Sequence, residues 1–160
     1  MSEPSTKPAA HAGVFFPPPL IYAALFLVGF LLDRWKPLPL IADRPLAVTA
    51  GSILAATAVA LEIWSIGTFW KSGTSPIPIK PSTALVVSGP YRFTRNPMYL
   101  SMTTAYVAAA LIADTPWPLF LLPVLLPIVD RLVIRREERY LAATFGEPYE
   151  RYMERVRRWL

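Results

Sequence analysis

Residues Leu46–Trp70 read LAVTAGSILAATAVALEIWSIGTFW, an unbroken apolar stretch whose one charged residue is Glu62. Its length exceeds the roughly 20 residues that a helix needs to cross a bilayer, so it can tilt or extend past the lipid. Upstream, Leu20–Trp35 is apolar until Asp33, and the Pro17-Pro18-Pro19 run ahead of it suits the first turn of a helix, where N–H donors have no partner to lose. Downstream, Met98–Ala113 and Trp117–Ile134 supply a third and a fourth apolar segment. The Asp114-Thr115-Pro116 turn between them leaves room only for a tight helical hairpin. The pattern predicts an all-α integral membrane protein with about four spans, near residues 20–35, 46–70, 98–113 and 117–134. Pro123 and Pro127 fall inside the fourth span, where each withholds a backbone hydrogen bond and imposes either a packing kink or a pocket-shaping break.

Composition agrees with lipid as the main solvent, since 54% of the 160 residues are hydrophobic and mean hydropathy is positive. Cysteine is absent and the one histidine, His11, sits in a polar N-terminal stretch, which excludes thiol nucleophiles and argues against a metal centre. The net charge of +5 lacks the aromatic-interleaved basic patch of a nucleic-acid binder and points to anionic lipid surfaces instead. With four crossings, thirteen of the sixteen Lys and Arg fall on the face shared by the N-terminus, Lys71–Pro97 and the C-terminus. The positive-inside rule then puts both termini in the cytoplasm. Residues 1–16 are expected to form a mobile tail and residues 17–160 a single domain. Beyond Arg135, the apolar series Tyr140, Leu141, Phe145, Tyr149, Tyr152 and Val156, broken at Gly146-Glu147-Pro148, predicts two amphipathic helical pieces at the cytoplasmic interface, residues 135–160.

Three features can carry chemistry. The stretch Leu85-Val86-Val87-Ser88-Gly89-Pro90-Tyr91-Arg92-Phe93-Thr94-Arg95-Asn96-Pro97-Met98-Tyr99 is either a juxtamembrane anchor or a turn frozen by Gly89, Pro90 and Pro97 to hold a ligand. Glu137-Glu138, directly after Arg135-Arg136, is either a self-neutralising surface cluster or a pair of acceptors for hydroxyl and ammonium groups. Glu62 costs a few kcal/mol inside an apolar span unless it is neutral, paired or wet. It therefore either snorkels or bonds to a neighbour such as Thr68 or Trp64, or it serves function.

The set Gly89-Pro90-Tyr91-Arg92, Thr94-Arg95-Asn96-Pro97-Met98-Tyr99, Glu137-Glu138 and Phe145-Gly146 with Tyr149 and Tyr152 resembles, in order and spacing, the isoprenylcysteine carboxyl methyltransferases and their short bacterial relatives. It is also similar to the looser signature of phospholipid N-methyltransferases. The resemblance covers roughly Gly67 to the C-terminus. It implies S-adenosylmethionine as cofactor, held by Leu85, Val86, Gly89, Tyr91, Asn96, Pro97, Tyr99, Glu137 and Glu138 beneath the C-terminal segment, and a lipophilic acceptor, isoprenoid-like and bearing a carboxylate or thiol, taken from the membrane. Asn96 stands where the eukaryotic enzymes have histidine, and an amide does not titrate near neutral pH. The chain reads Val156-Arg157-Arg158-Trp159 where many relatives place a proline after the valine.

Methyl transfer from a sulfonium asks mainly for alignment and exclusion of water. Arg95 or Arg131 is positioned in sequence to orient an anionic acceptor, and Glu62 is the carboxylate available as a base for an amine or hydroxyl. The absence of a Gly-x-Gly motif after a strand excludes the soluble dinucleotide-type arrangement. Methylation of phospholipid amines and a non-catalytic lipid-binding scaffold are the competing functions.

Overall fold

The computed structural model describes residues 17–41, 43–77 and 80–160. The expected tail 1–16, with His11, lies outside the described residues. Among those residues every regular element is helical.

Helix α1 (Pro18–Trp35) starts two residues before the apolar run because prolines are tolerated in a first turn. Helix α2 (Arg44–Lys71) also starts early, since the Asp43 side chain accepts the Leu46 N–H at 3.0 Å and Pro45 occupies the first turn. Both are long and apolar enough to cross a membrane. Helix α3 (Pro97–Ala113) is apolar but shorter, at 17 residues. Ile53, Val59 and Ile63 on α2 are all more than half exposed, an outward apolar face that lipid covers without cost.

The fourth apolar segment is not the single helix 117–134 that the sequence suggests. It divides into α4 (Trp117–Phe120), α5 (Leu122–Val129) and a π turn at Asp130–Ile134, which leads straight into α6 (Arg135–Phe145). Leu121, Asp130 and Arg135 keep right-handed helical torsions, so the pieces form one interrupted helical column. Pro123 falls in the first turn of α5, where it is harmless, whereas Pro127 lies inside and has no N–H to give. The ladder beyond it widens until the Arg135 N–H reaches back to the Asp130 carbonyl. Val133 and Ile134 are thereby buried, and Arg131 and Leu132 face outward. Gly146 separates α6 from α7 (Glu147–Arg155).

Tyr22, Tyr99, Tyr106, Leu125, Val129, Val133 and Ile134 form the core between α1, α3 and the interrupted column. Close approach there depends on small residues. A Cβ at Gly29 would lie 2.7 Å from the Pro118 nitrogen, and one at Gly51 would lie 3.0 Å from the Ala108 carbonyl oxygen. Gly29→Val, which must push α1 off α4, is expected to destabilise the protein by about 1–3 kcal/mol; reversible unfolding in detergent micelles measures this.

The two connections at one end of the bundle are tied together. The Asp114 carboxylate accepts N–H bonds from Leu40 and Ile41 at 3.2 and 3.4 Å, and the Trp117 indole donates to the Lys36 carbonyl at 2.8 Å. At the opposite end, Val86 and Tyr91 of the 72–96 connection pack with Tyr149 and Tyr152 of α7, together with Phe69, Leu141, Phe145 and Val156. This second cluster places the connection beneath α6 and α7.

Candidate active site

Between α2, α3, the 72–96 connection and the pair α6–α7 lies a cavity of about 560 Å³. Its wall toward the membrane helices carries Glu62, Ile66, Met98 and Met102, and its opposite wall carries Glu137, Glu138, Tyr149 and Tyr152. The connection crosses between them as a single 3₁₀ turn, Gly89–Arg92. Gly89 sets that crossing: its φ is +60°, and a Cβ there would meet the Thr68 hydroxyl at 2.6 Å and the Trp64 indole nitrogen at 3.2 Å. The turn therefore lies directly on α2.

Behind the turn, the Tyr91 ring meets Phe69 edge-on at 5.3 Å, and the Tyr91 carbonyl accepts the Tyr152 hydroxyl at 2.7 Å. Burial, chiefly, holds the phenols of Tyr91, Tyr149 and Tyr152 above the ordinary tyrosine range, so they stay protonated. The Asn96 amide donates at 2.9 Å to the Arg158 carbonyl, which also accepts the Thr94 hydroxyl at 3.0 Å. The Arg95 N–H adds a 2.9 Å bond to the Arg157 carbonyl. This answers how the last residues pack: from Val156 the chain is extended and lies along the Thr94–Asn96 stretch.

The adjacent glutamates differ in their surroundings. The Tyr99 hydroxyl donates to Glu137 at 2.8 Å. Burial pushes the Glu137 carboxyl up to about 7, opposed by that hydrogen bond and reinforced by the Glu138 charge. Glu138 is gripped by Arg158 through two bonds, at 3.1 and 2.5 Å, and lies 3.4 Å from Arg95. The third Arg158 contact, at 3.1 Å, reaches Asp130 on the π turn, whose other oxygen receives Arg135 at 2.7 Å.

Glu62 is hydrogen-bonded by the Ser101 hydroxyl of α3, not by Thr68 or Trp64. Thr68 turns back to the Trp64 carbonyl at 2.7 Å. A carboxylate within an apolar span thus has a partner on the facing helix and an edge on the cavity.

Of the residues singled out from sequence, Glu62, Leu85, Val86, Tyr91, Arg95, Asn96, Pro97, Tyr99, Glu137 and Glu138 all line this cavity. Gly89 does not, acting through the backbone contact with α2. Arg131 does not either: it is exposed on the π turn, whose burial of Val133 and Ile134 turns it away. Pro123 and Pro127 also lie off the cavity wall. Sequence reasoning missed Ser101, Tyr140, Asp130 and Arg158. The i, i+3 spacing of Tyr149 and Tyr152 on an amphipathic helix, together with their place in the resemblance, hinted that α7 turns a face inward. Two buried donors on the cavity residues have no partner among the described residues, the Tyr91 hydroxyl and Arg95 Nε.

No solved structure matches the chain. An uncharacterized protein of Haemophilus influenzae is 35% identical over 63 residues, which is all of that protein and 39% of this chain. The phospholipid methyltransferase family matches residues 46–148, from the start of α2 into the first turn of α7, which takes in most of the residues lining the cavity but not Pro17-Pro18-Pro19, Tyr149 or Tyr152. The chain therefore belongs to the phospholipid methyltransferase family, methyltransferases of lipid-type substrates.

Proposed function

We propose that the cavity is the site of S-adenosylmethionine-dependent methyl transfer to a lipophilic acceptor drawn from the bilayer. In this reading residues 17–160 act as one domain that crosses a bacterial inner membrane four times and presents residues 72–96 and 135–160 to the cytoplasm. Within the family, the order of Gly89–Tyr99 and Glu137-Glu138 supports an isoprenylcysteine carboxyl methyltransferase-like member.

The observation that carries the proposal is one cavity with an ionic, aromatic wall on the α6–α7 side and an apolar wall built from membrane helices. The donor set fits S-adenosylmethionine: buried unspent donors on Tyr91 and Arg95 suit its carboxylate, and Glu137 suits its ribose or ammonium. Leu85, Val86, Tyr91, Asn96, Pro97, Tyr99, Glu137 and Glu138 would hold it, with Gly89 fixing the loop. When bound, it supplies a methyl group on a positively charged sulfur. The protein's own residues align the partners, present aromatic faces to the cation and exclude water.

The charge of the wall bears on the acceptor. Three carboxylates and one guanidinium line the cavity among the described residues, and with Arg95 given to the donor's carboxylate no cation of the wall is left for an anionic acceptor. A further carboxylate is repelled there, so the balance favours an amine-bearing lipid over the carboxylate or thiol acceptor suggested by the subfamily resemblance. Glu62 is then the group that takes the amine proton on its carboxylate, with Ser101 orienting it.

Incubating the purified protein with methyl-labelled donor and membrane lipids distinguishes the acceptors, because an amine acceptor puts label into ethanolamine lipids and a carboxylate acceptor gives a base-labile ester. Glu62→Gln is expected to lower amine-lipid turnover by roughly 10²-fold while leaving S-adenosylhomocysteine affinity unchanged. Absence of saturable S-adenosylhomocysteine binding in calorimetric titration defeats the enzyme reading and leaves a lipid-binding scaffold.

A further inference from the structure

We infer that Asp130 and Arg158, neither of which lines the cavity, are positioning residues that keep the Arg95 guanidinium available for the carboxylate of the donor's amino-acid end. The inference rests on the cavity being the donor site.

Arg95 is nearly buried, its side chain 13% exposed, yet its Nε is without an acceptor among the described residues. A buried unpaired donor is costly, and the cost is removed when a ligand supplies the missing acceptor. The Tyr91 hydroxyl is unspent on a residue of the same wall. With Glu137 also on that wall, residues lining the cavity carry unused donors together with a carboxylate. A zwitterionic amino-acid group, anionic at one end and cationic at the other, meets both demands.

What prevents Glu138 from quenching Arg95 is Arg158. A carboxylate beside a guanidinium tends toward the two-pronged pair that occupies Nε as well as a terminal nitrogen. Here the two-pronged pair is made with Arg158 instead, and Arg95 keeps only the 3.4 Å contact of its Nη1. Asp130 holds the Arg158 fork from behind at 3.1 Å. The π turn supplies that carboxylate from the membrane column, so the widened turn and the extended C-terminal residues converge on one guanidinium.

The backbone of the C-terminal stretch does not depend on the Arg158 side chain. Thr94, Asn96 and the Arg95 N–H hold its carbonyls, Trp159 packs on the membrane core, and Val156 packs on the cluster with Tyr149. Removing the fork therefore leaves the wall standing.

The test compares binding of S-adenosylhomocysteine with binding of 5′-methylthioadenosine, which keeps the nucleoside and thioether but lacks the amino-acid end. Asp130→Asn, Arg158→Lys and Arg158→Ala are expected to weaken S-adenosylhomocysteine about tenfold or more and to leave 5′-methylthioadenosine within about twofold. The double variant Asp130→Asn with Arg158→Ala should be no worse than Arg158→Ala alone, because Asp130 acts through Arg158. Equal losses for both ligands would overturn the inference by making the pair a general scaffold, and unchanged affinities would overturn it outright. A wild-type protein that binds neither ligand overturns the donor-site reading itself.

Discussion

Glu137→Gln is expected to cost the protein at least tenfold in S-adenosylhomocysteine affinity at pH 8 and to erase the pH dependence of binding. In the wild type, burial holds the Glu137 carboxyl up to about 7, so near neutrality a substantial fraction is protonated and unable to pair with an ammonium. Affinity for a ligand with a cationic end should then rise as pH increases through about 7 and level off above it. The glutamine variant, with nothing to ionise, should give a flat profile at the weaker level.

The stability of the unliganded protein runs the other way. The folded-state value is raised from 4.5, so the fold prefers the neutral carboxyl. That contribution is complete below about 4.5 and is lost as pH climbs through about 7, at roughly 1.4 kcal/mol per pH unit across the window. Above pH 7 the glutamine variant should consequently be the more stable protein while being the poorer binder. Isothermal titration across pH 5.5–8.5, paired with unfolding in detergent, measures both slopes; a wild-type affinity that does not change with pH contradicts the assignment.

Gly89→Ala is the second large effect. A non-glycine residue at φ +60° costs about 1–2 kcal/mol, and the added Cβ must displace the Thr68 hydroxyl from 2.6 Å, an overpacking cost of about 1–3 kcal/mol. The turn cannot give way outward without carrying Tyr91, whose carbonyl holds Tyr152 and whose ring rests on Phe69. Destabilisation of about 2–5 kcal/mol with loss of cofactor binding is the expected outcome. Adding Thr68→Ala should recover the steric part and leave the torsional part. Equal stability of the single and double variants would show that Thr68 is not what Gly89 avoids.

Helix existence was legible because a long apolar run has few alternatives in lipid, and the Pro17-Pro18-Pro19 run, the Asp114-Thr115-Pro116 turn and Gly146 punctuate it locally, whereas the start of α2 at Asp43 and Pro45 was not read. The form of the interruption in the fourth segment was not legible. Pro127 announces a disturbance in the ladder, but whether the chain answers with a kink or with a widened turn depends on how Val133 and Ile134 find burial against α1 and α3, a tertiary matter. The same limit applies to the cavity. Glu137 and Glu138 are adjacent in sequence and look alike, yet one is left with a tyrosine and the other with two arginines, because neighbours on a helix point about 100° apart. Ser101 was unreadable as a partner for Glu62, since a serine in an apolar helix ordinarily bonds its own backbone, as this one also does to Met98 at 2.8 Å. Arg158 was hidden among other surface-looking arginines near the C-terminus, and only the folded path of residues 156–159 distinguishes it.

From Trp117 to Phe145 the backbone never leaves right-handed helical torsions, even where the hydrogen-bond ladder changes type. The half of that column built against α1 and the half bearing the two glutamates are therefore geared together like the ends of one axle. No swivel lies between them, so the angular setting of Glu137 and Glu138 is inherited from a contact made deep in the bundle, where Leu125 and Val129 mesh with the aromatic rings of Tyr22, Tyr99 and Tyr106.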